Sequence, residues 1–136
     1  MAKIFVDTDI CLDLLSGRKP FNAIAQKLFT LADLGKIKIY VSSLSFSNID
    51  YILKSNFKQI DTRKILARFK TLVTVLPVDD KIIELSISSD FQEFEDAIQY
   101  HTAIENNLKV LLTRNLKDYK KAIIQVMNPE TFLSGF

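Results

Sequence analysis

Ile4-Phe5-Val6-Asp7-Thr8-Asp9-Ile10 is a short apolar run that ends abruptly in two carboxylates spaced i, i+2, with Leu12, Leu14 and Leu15 close behind. Such a run reads as a buried strand feeding a helix. In an open α/β sheet the carboxyl end of a strand of this kind opens into the ligand crevice. Two acids there are costly to bury unless a cation neutralises them, and a hydrated divalent metal is the usual partner. The chemistry is therefore expected around Asp7.

Outward from this strand, further short apolar runs recur at Ile37–Val41, Leu72–Leu76, Val110–Leu112 and Ile123–Val126, giving five expected strands with Ile4–Val6. Amphipathic stretches separate them. Ala23, Leu28, Leu31 and Leu34 follow a helical period that Gly35 stops. Ser43 to Phe57 carries Leu44, Ile49, Ile52 and Leu53 on one expected face, with Ser42 or Ser43 as N-cap. Asp61 and Asp79 open two more helices, and Phe94 to Glu105 forms another. Strands alternating with helices predict an α/β fold: one three-layer domain over residues 1–136, a parallel five-stranded sheet covered by helices on both faces. The crossovers should be right-handed.

The 136 residues suffice for a real core, and 48% apolar with 25% charged residues is an ordinary folded composition. A net charge of +2 is too mild to require a polyanionic partner, but local clustering matters more than the sum. The single Cys11 excludes an internal disulfide and a thiolate metal site, and its apolar neighbours predict an inert buried thiol. No apolar run approaches the ~20 residues that span a bilayer, so a soluble cytoplasmic protein is expected.

Four other places carry polar residues where packing alone would not put them. Ser42 to Tyr51 starts a helix that bears Asn48. Asp90, Glu93, Glu95 and Asp96 crowd the start of the Phe94 helix. The helix dipole accounts for acids there, but less well for Asp96, which borders Ala97 and Ile98 and needs a partner. Thr113-Arg114-Asn115-Leu116-Lys117-Asp118-Tyr119 follows another apolar run, at the same sheet edge as Asp7 if the strands are parallel. Finally, Arg114, Lys117, Lys120 and Lys121 cluster at that loop, which would suit a phosphate backbone held beside a metal.

Acids delivered by separate strand ends would hold Mg²⁺ or Mn²⁺ through carboxylates and retained waters, and such a metal can activate water against a phosphodiester. The lone His101 reads as packing or surface rather than as a base, and no glycine-rich phosphate loop is present. Two other protein classes share an Asp-x-Asp strand end. A haloacid-dehalogenase-like phosphatase needs later Lys and Asp motifs that cannot be placed here. A response-regulator receiver needs an acceptor Asp after its third strand, where Pro77-Val78-Asp79-Asp80 reads as a turn and cap.

At these residues the chain resembles the PIN-domain family of metal-dependent ribonucleases, which includes the VapC toxins. The resemblance rests on Val6-Asp7-Thr8-Asp9 with Asp13, on Ser42–Tyr51, on Asp90-Phe91 through Phe94-Glu95-Asp96-Ala97, on Leu112–Tyr119 and on the closing Asn128-Pro129-Glu130-Thr131-Phe132-Leu133. It implies an endoribonuclease that hydrolyses RNA with metal-activated water. Asp7, Asp96 and Asn115 would be catalytic. Asp7, Asp9, Asp96, Asn115 and Asp118 would surround Mg²⁺ or Mn²⁺. Thr113, Arg114 and Lys117 would meet the RNA. The family's second acidic position, usually Glu, falls on Asn48, which offers a carbonyl oxygen without a charge. Asp9 or Asp50 could stand in, although Asp50 lies two residues along the helix and so on another side. The resemblance further implies a homodimer silenced by a small antitoxin. The alternative, motivated by Asn48, is a catalytically weak PIN-like module that binds RNA or a protein.

Overall fold

The computed structural model describes all residues from Met1 to Phe136. Strand β1 (Ala2–Val6) occupies the middle of the sheet because both its faces are apolar, with Ile4, Phe5 and Val6 each fully buried. A strand with two apolar faces needs a layer on either side. Its neighbours are β2 (Ile37–Ser42) and β4 (Val110–Leu112), flanked in turn by β3 (Thr74–Leu76) and β5 (Gln125–Met127). All pairings are parallel and the order is β3-β2-β1-β4-β5, with Ile4 opposite Ile39 and Val6 opposite Leu112.

Seven helices connect or follow the strands: α1 (Thr8–Leu15), α2 (Asn22–Asp33), α3 (Ser43–Asn56), α4 (Thr62–Lys70), α5 (Asp80–Ile87), α6 (Phe94–Glu105) and α7 (Pro129–Ser134). Ile4, Val6, Ile39 and Val41 join Ile10, Leu28, Ile49 and Phe69 in the larger core, which α1, α2, α3, α4 and α7 cover. The Phe69 ring sits between Phe29 and Phe46, each with its centroid 5.6 Å away. Phe5 and Leu111 face the opposite way and pack with Tyr100, Ala103 and Tyr119 beneath α6, against which α5 lies.

The caps expected at Ser42, Asp61 and Asp79 form, and Asn128 adds another on α7. The side chains of Ser42, Asp61, Asp79 and Asn128 accept from the backbone N–H three residues on, satisfying donors that the first helical turn would otherwise orphan. Gly35 ends α2 at a φ of 74°, a left-handed conformation open to glycine at little cost. Cys11 is fully buried, and desolvation holds its thiol protonated.

Three local expectations are corrected. β3 starts at Thr74 rather than Leu72, because Leu72 N–H donates to Phe69 O at 2.9 Å and is spent closing α4. β5 is Gln125–Met127 rather than Ile123–Val126. Its register is set by Leu112 facing Met127, which leaves Ile123 87% exposed. On α3 the buried line runs through Ser45, Ile49 and Leu53, so a serine rather than Leu44 takes the inward position of the first turn.

The strand order reverses direction at β1: the chain steps outward to β2 and β3, then returns to β4 on the other side. The carboxyl ends of β1 and β4 therefore flank a switch point, where helices diverge and leave a crevice. Asp7 follows β1 and Thr113 follows β4.

Candidate active site

Asp7 is both the residue after β1 and the N-cap of α1, and it is only 6% exposed. Its Oδ1 accepts from Thr8 N–H at 2.8 Å, and its Oδ2 accepts from the Thr113 and Tyr119 hydroxyls, each at 3.0 Å. Asp9 reaches across to the β4 loop, where its Oδ2 accepts from Arg114 N–H at 2.9 Å, Thr113 Oγ1 at 3.2 Å and Asn115 Nδ2 at 3.3 Å. The Thr113 hydroxyl lies within reach of both carboxylates but owns one proton. The pair is thus one donor short.

The electrostatics agree. Burial, followed by the Asp9 charge, pushes the Asp7 carboxyl up to about 7. Burial raises Asp9 as well. Asp96, on the first turn of α6, is half-buried and pushed up to about 6 by desolvation and then by Asp118, Glu95, Glu93 and Asp9. Burial and the Asp7 charge drive the Tyr119 phenol far above its ordinary value, so it serves Asp7 only as a donor.

Asp7, Asp9, Asp96 and Asn115 line one hollow of about 260 Å³, together with Glu93 and Glu95. The one cationic lining residue, Arg18, leans instead on Asp13 at 3.8 Å. Asn115 Nδ2 is committed to Asp9, which leaves its carbonyl oxygen free for other contacts. The donors are all hard oxygen, and their charge is unbalanced, which suits Mg²⁺ or Mn²⁺. No three His, Cys, Asp or Glu side chains converge tightly enough to enclose an ion by themselves.

The remaining expected residues are distributed differently. Thr113 is fully buried and is engaged by the acids, so it presents nothing to a nucleic acid. Arg114 forms a two-pronged pair with Asp13, at 2.7 and 3.1 Å, and its guanidinium stacks on Phe21 at 3.9 Å. It braces α1 against the β4 loop rather than facing the hollow. Asp118 lies beyond Asp96, in a second hollow of about 240 Å³ that Lys117, Lys120 and Lys121 also line. The two hollows share Glu93 and Asp96. Asn48 is absent from the lining of the first hollow, but its Nδ2 donates to Glu95 Oε1 at 2.7 Å. Asp50 points to its own helix, pairing with Lys54 at 3.1 Å.

Sequence reasoning missed what lies under the site. Gln99 on α6 is fully buried; its Nε2 donates to Thr8 Oγ1 and Ser45 Oγ, each at 3.0 Å, and its Oε1 accepts from Ser42 Oγ at 2.6 Å. Both amide protons and the amide oxygen are satisfied, which a buried amide requires. A signal existed, because Gln99 sits one helical turn after Asp96 and Ser45 shares a face with Ile49 and Leu53. Tyr119 was also missed, although an apolar ring carrying a donor suits that place.

A family model described as the PIN domain matches residues 3–117. Ribonuclease VapC1 of Aquifex aeolicus is 26% identical over 138 residues, covering 96% of this chain and 92% of that protein. A DNA-bound VapBC from Salmonella typhimurium shares the fold at a TM-score of 0.71, with 18% identity and coverage of 95% of this chain and 99% of that one. A toxin-antitoxin complex from Klebsiella pneumoniae does so at a TM-score of 0.70, with 22% identity and coverage of 93% and 97%. A match over so much of the length, on a parallel sheet whose switch point gathers these acids, means that the chain belongs to the PIN-domain family.

Proposed function

We propose that this protein is a metal-dependent endoribonuclease of the VapC toxin type, using Mg²⁺ or Mn²⁺. The observation that carries this reading is that Asp7 and Asp96 line one hollow whose single cationic side chain, Arg18, is turned to Asp13 instead. When bound there, a divalent cation supplies an acidified water and neutralises charge on the phosphodiester. Asp7 and Asp96 hold it, with the Asn115 carbonyl as a neutral third donor. Asp9, whose Oδ2 already accepts from Arg114 N–H and Asn115 Nδ2, ties the β4 loop down and contributes its charge more than a free lone pair. Thr8 N–H and the Thr113 and Tyr119 hydroxyls aim Asp7. Lys117, with Lys120 and Lys121, offers cations to the strand as it leaves Asp96.

The substrate is RNA, and the solved relatives named as toxin-antitoxin complexes support a small antitoxin partner for this chain as well. A homodimer working in the cytoplasm completes the reading. No helix is long and apolar enough to cross a membrane. The second reading, a weak RNA- or protein-binding module, is favoured by Asn48 alone.

The test is cleavage of a mixed single-stranded RNA pool during Mn²⁺ titration. The intact chain should cut, while Asp7→Asn and Asp96→Asn should each lose at least about 100-fold in rate, in line with removing a group that positions transition-state charge. Equal, metal-independent behaviour of all three proteins would leave the binding module standing.

A further inference from the structure

We infer that Glu95 supplies the negative charge that α3 lacks: Asn48 holds the Glu95 carboxylate toward the hollow, so that the Asn48–Glu95 pair acts as the site's further acid. This rests on reading the hollow as a cation-holding centre.

Three observations converge on the pair. Asn48 and Glu95 come from different helices, 47 residues apart, yet Nδ2 and Oε1 lie 2.7 Å from each other. Glu95 lines the same hollow as Asp7 and Asp96, and Asn48 does not. Glu95 forms no ion pair. An amide is well suited to this task. It fixes a carboxylate in place through a donor while leaving the full negative charge available, whereas a lysine at position 48 would neutralise it.

The bland account is that an acid on the first turn of α6 serves the helix dipole. That explains the sign of the charge but neither the tie to α3 nor the position on the hollow. The two accounts also differ in what they predict, since a dipole partner affects stability and a site acid affects cation affinity. Because no three acids converge directly, Glu95 would act through the water that a hydrated cation retains.

The experiment measures Mn²⁺ binding to the full chain by the electron paramagnetic resonance signal of the free ion, with urea melts alongside. Glu95→Gln should weaken Mn²⁺ about ten-fold or more, the range for groups acting one step out from a metal, with an unchanged melt because the side chain is exposed. Asn48→Ala, which removes the donor that fixes the Glu95 carboxylate, should weaken Mn²⁺ in the same direction. If Glu95→Gln binds like the intact chain while Asp7→Asn does not bind, the inference falls and the cation site stands. An Asn48→Ala variant that binds like the intact chain also overturns it. If the intact chain takes up no more Mn²⁺ than Asp7→Asn, the cation site itself fails and takes the inference with it.

Discussion

Asp7 is a carboxylate that the fold buries without a counter-charge, and its proton affinity is the measurable consequence. Its ordinary value is 3.8 and the folded site lifts it to about 7, through burial and then the Asp9 charge. Below the ordinary value both the folded and unfolded chains carry the proton. Between the two values the unfolded chain releases it and the folded chain keeps it, so the folded state binds more protons and loses stability as pH rises. Asp96, lifted to about 6, acts in the same direction. The cation-free protein should therefore be less stable at about pH 7.5 than at about pH 5, with an Asp7 contribution on the order of a few kcal/mol. Denaturant melts in chelator at the two pH values check this. Asp7→Asn, which cannot ionise, should show a much shallower dependence.

Among elements, the joint between α1, α3 and α6 matters most to the site, because each brings one of its parts. Gln99 locks that joint through Thr8, Ser42 and Ser45. Gln99→Leu takes the acceptor from the Ser42 hydroxyl and a donor from each of Thr8 and Ser45, which keep their mutual bond at 2.8 Å, and an unsatisfied buried polar group costs about 1–3 kcal/mol. The loss should appear as a lower urea midpoint. Replacing the partners too, as Thr8→Val and Ser45→Ala with Gln99→Leu, should regain much of that stability, since removing both sides of a buried hydrogen bond is nearly neutral. The caps at Asp61 and Asp79 need no such long-range help. An acid three residues ahead of an orphan N–H is a local arrangement, and both were legible from the chain alone.

At the scale of the whole molecule, the two cores carry the stability and the sheet's carboxyl edge carries the candidate site. Phe69 illustrates the separation: it fills the larger core between Phe29 and Phe46, on the face covered by α2, α3 and α4, and it lines neither hollow. Phe69→Ala should cost about 3–5 kcal/mol, the usual range for truncating a buried aromatic. Calorimetry should register that loss, while the fraction that remains folded keeps its Mn²⁺ affinity. A parallel sheet with covered faces permits this division, because packing acts across its faces and ligands enter at its end.

Local physics determined a good deal in advance. The order of strands and helices followed from apolar periodicity, and the Asp7 strand end, the caps and the Gly35 stop followed from backbone chemistry within a few residues. The edges of β3 and β5 did not, because a strand's limits depend on what its neighbour pairs with, as Met127 opposite Leu112 shows. The roles of the polar residues were likewise undecided by the chain itself. Arg114 could have faced a phosphate, but the crossover order brings it to Asp13; Asn48 looked like a missing acid, but α6 passes close enough to set Glu95 against it. Hydrogen bonds across some 50 to 110 positions depend on how elements are stacked, and only the tertiary structure could assign them.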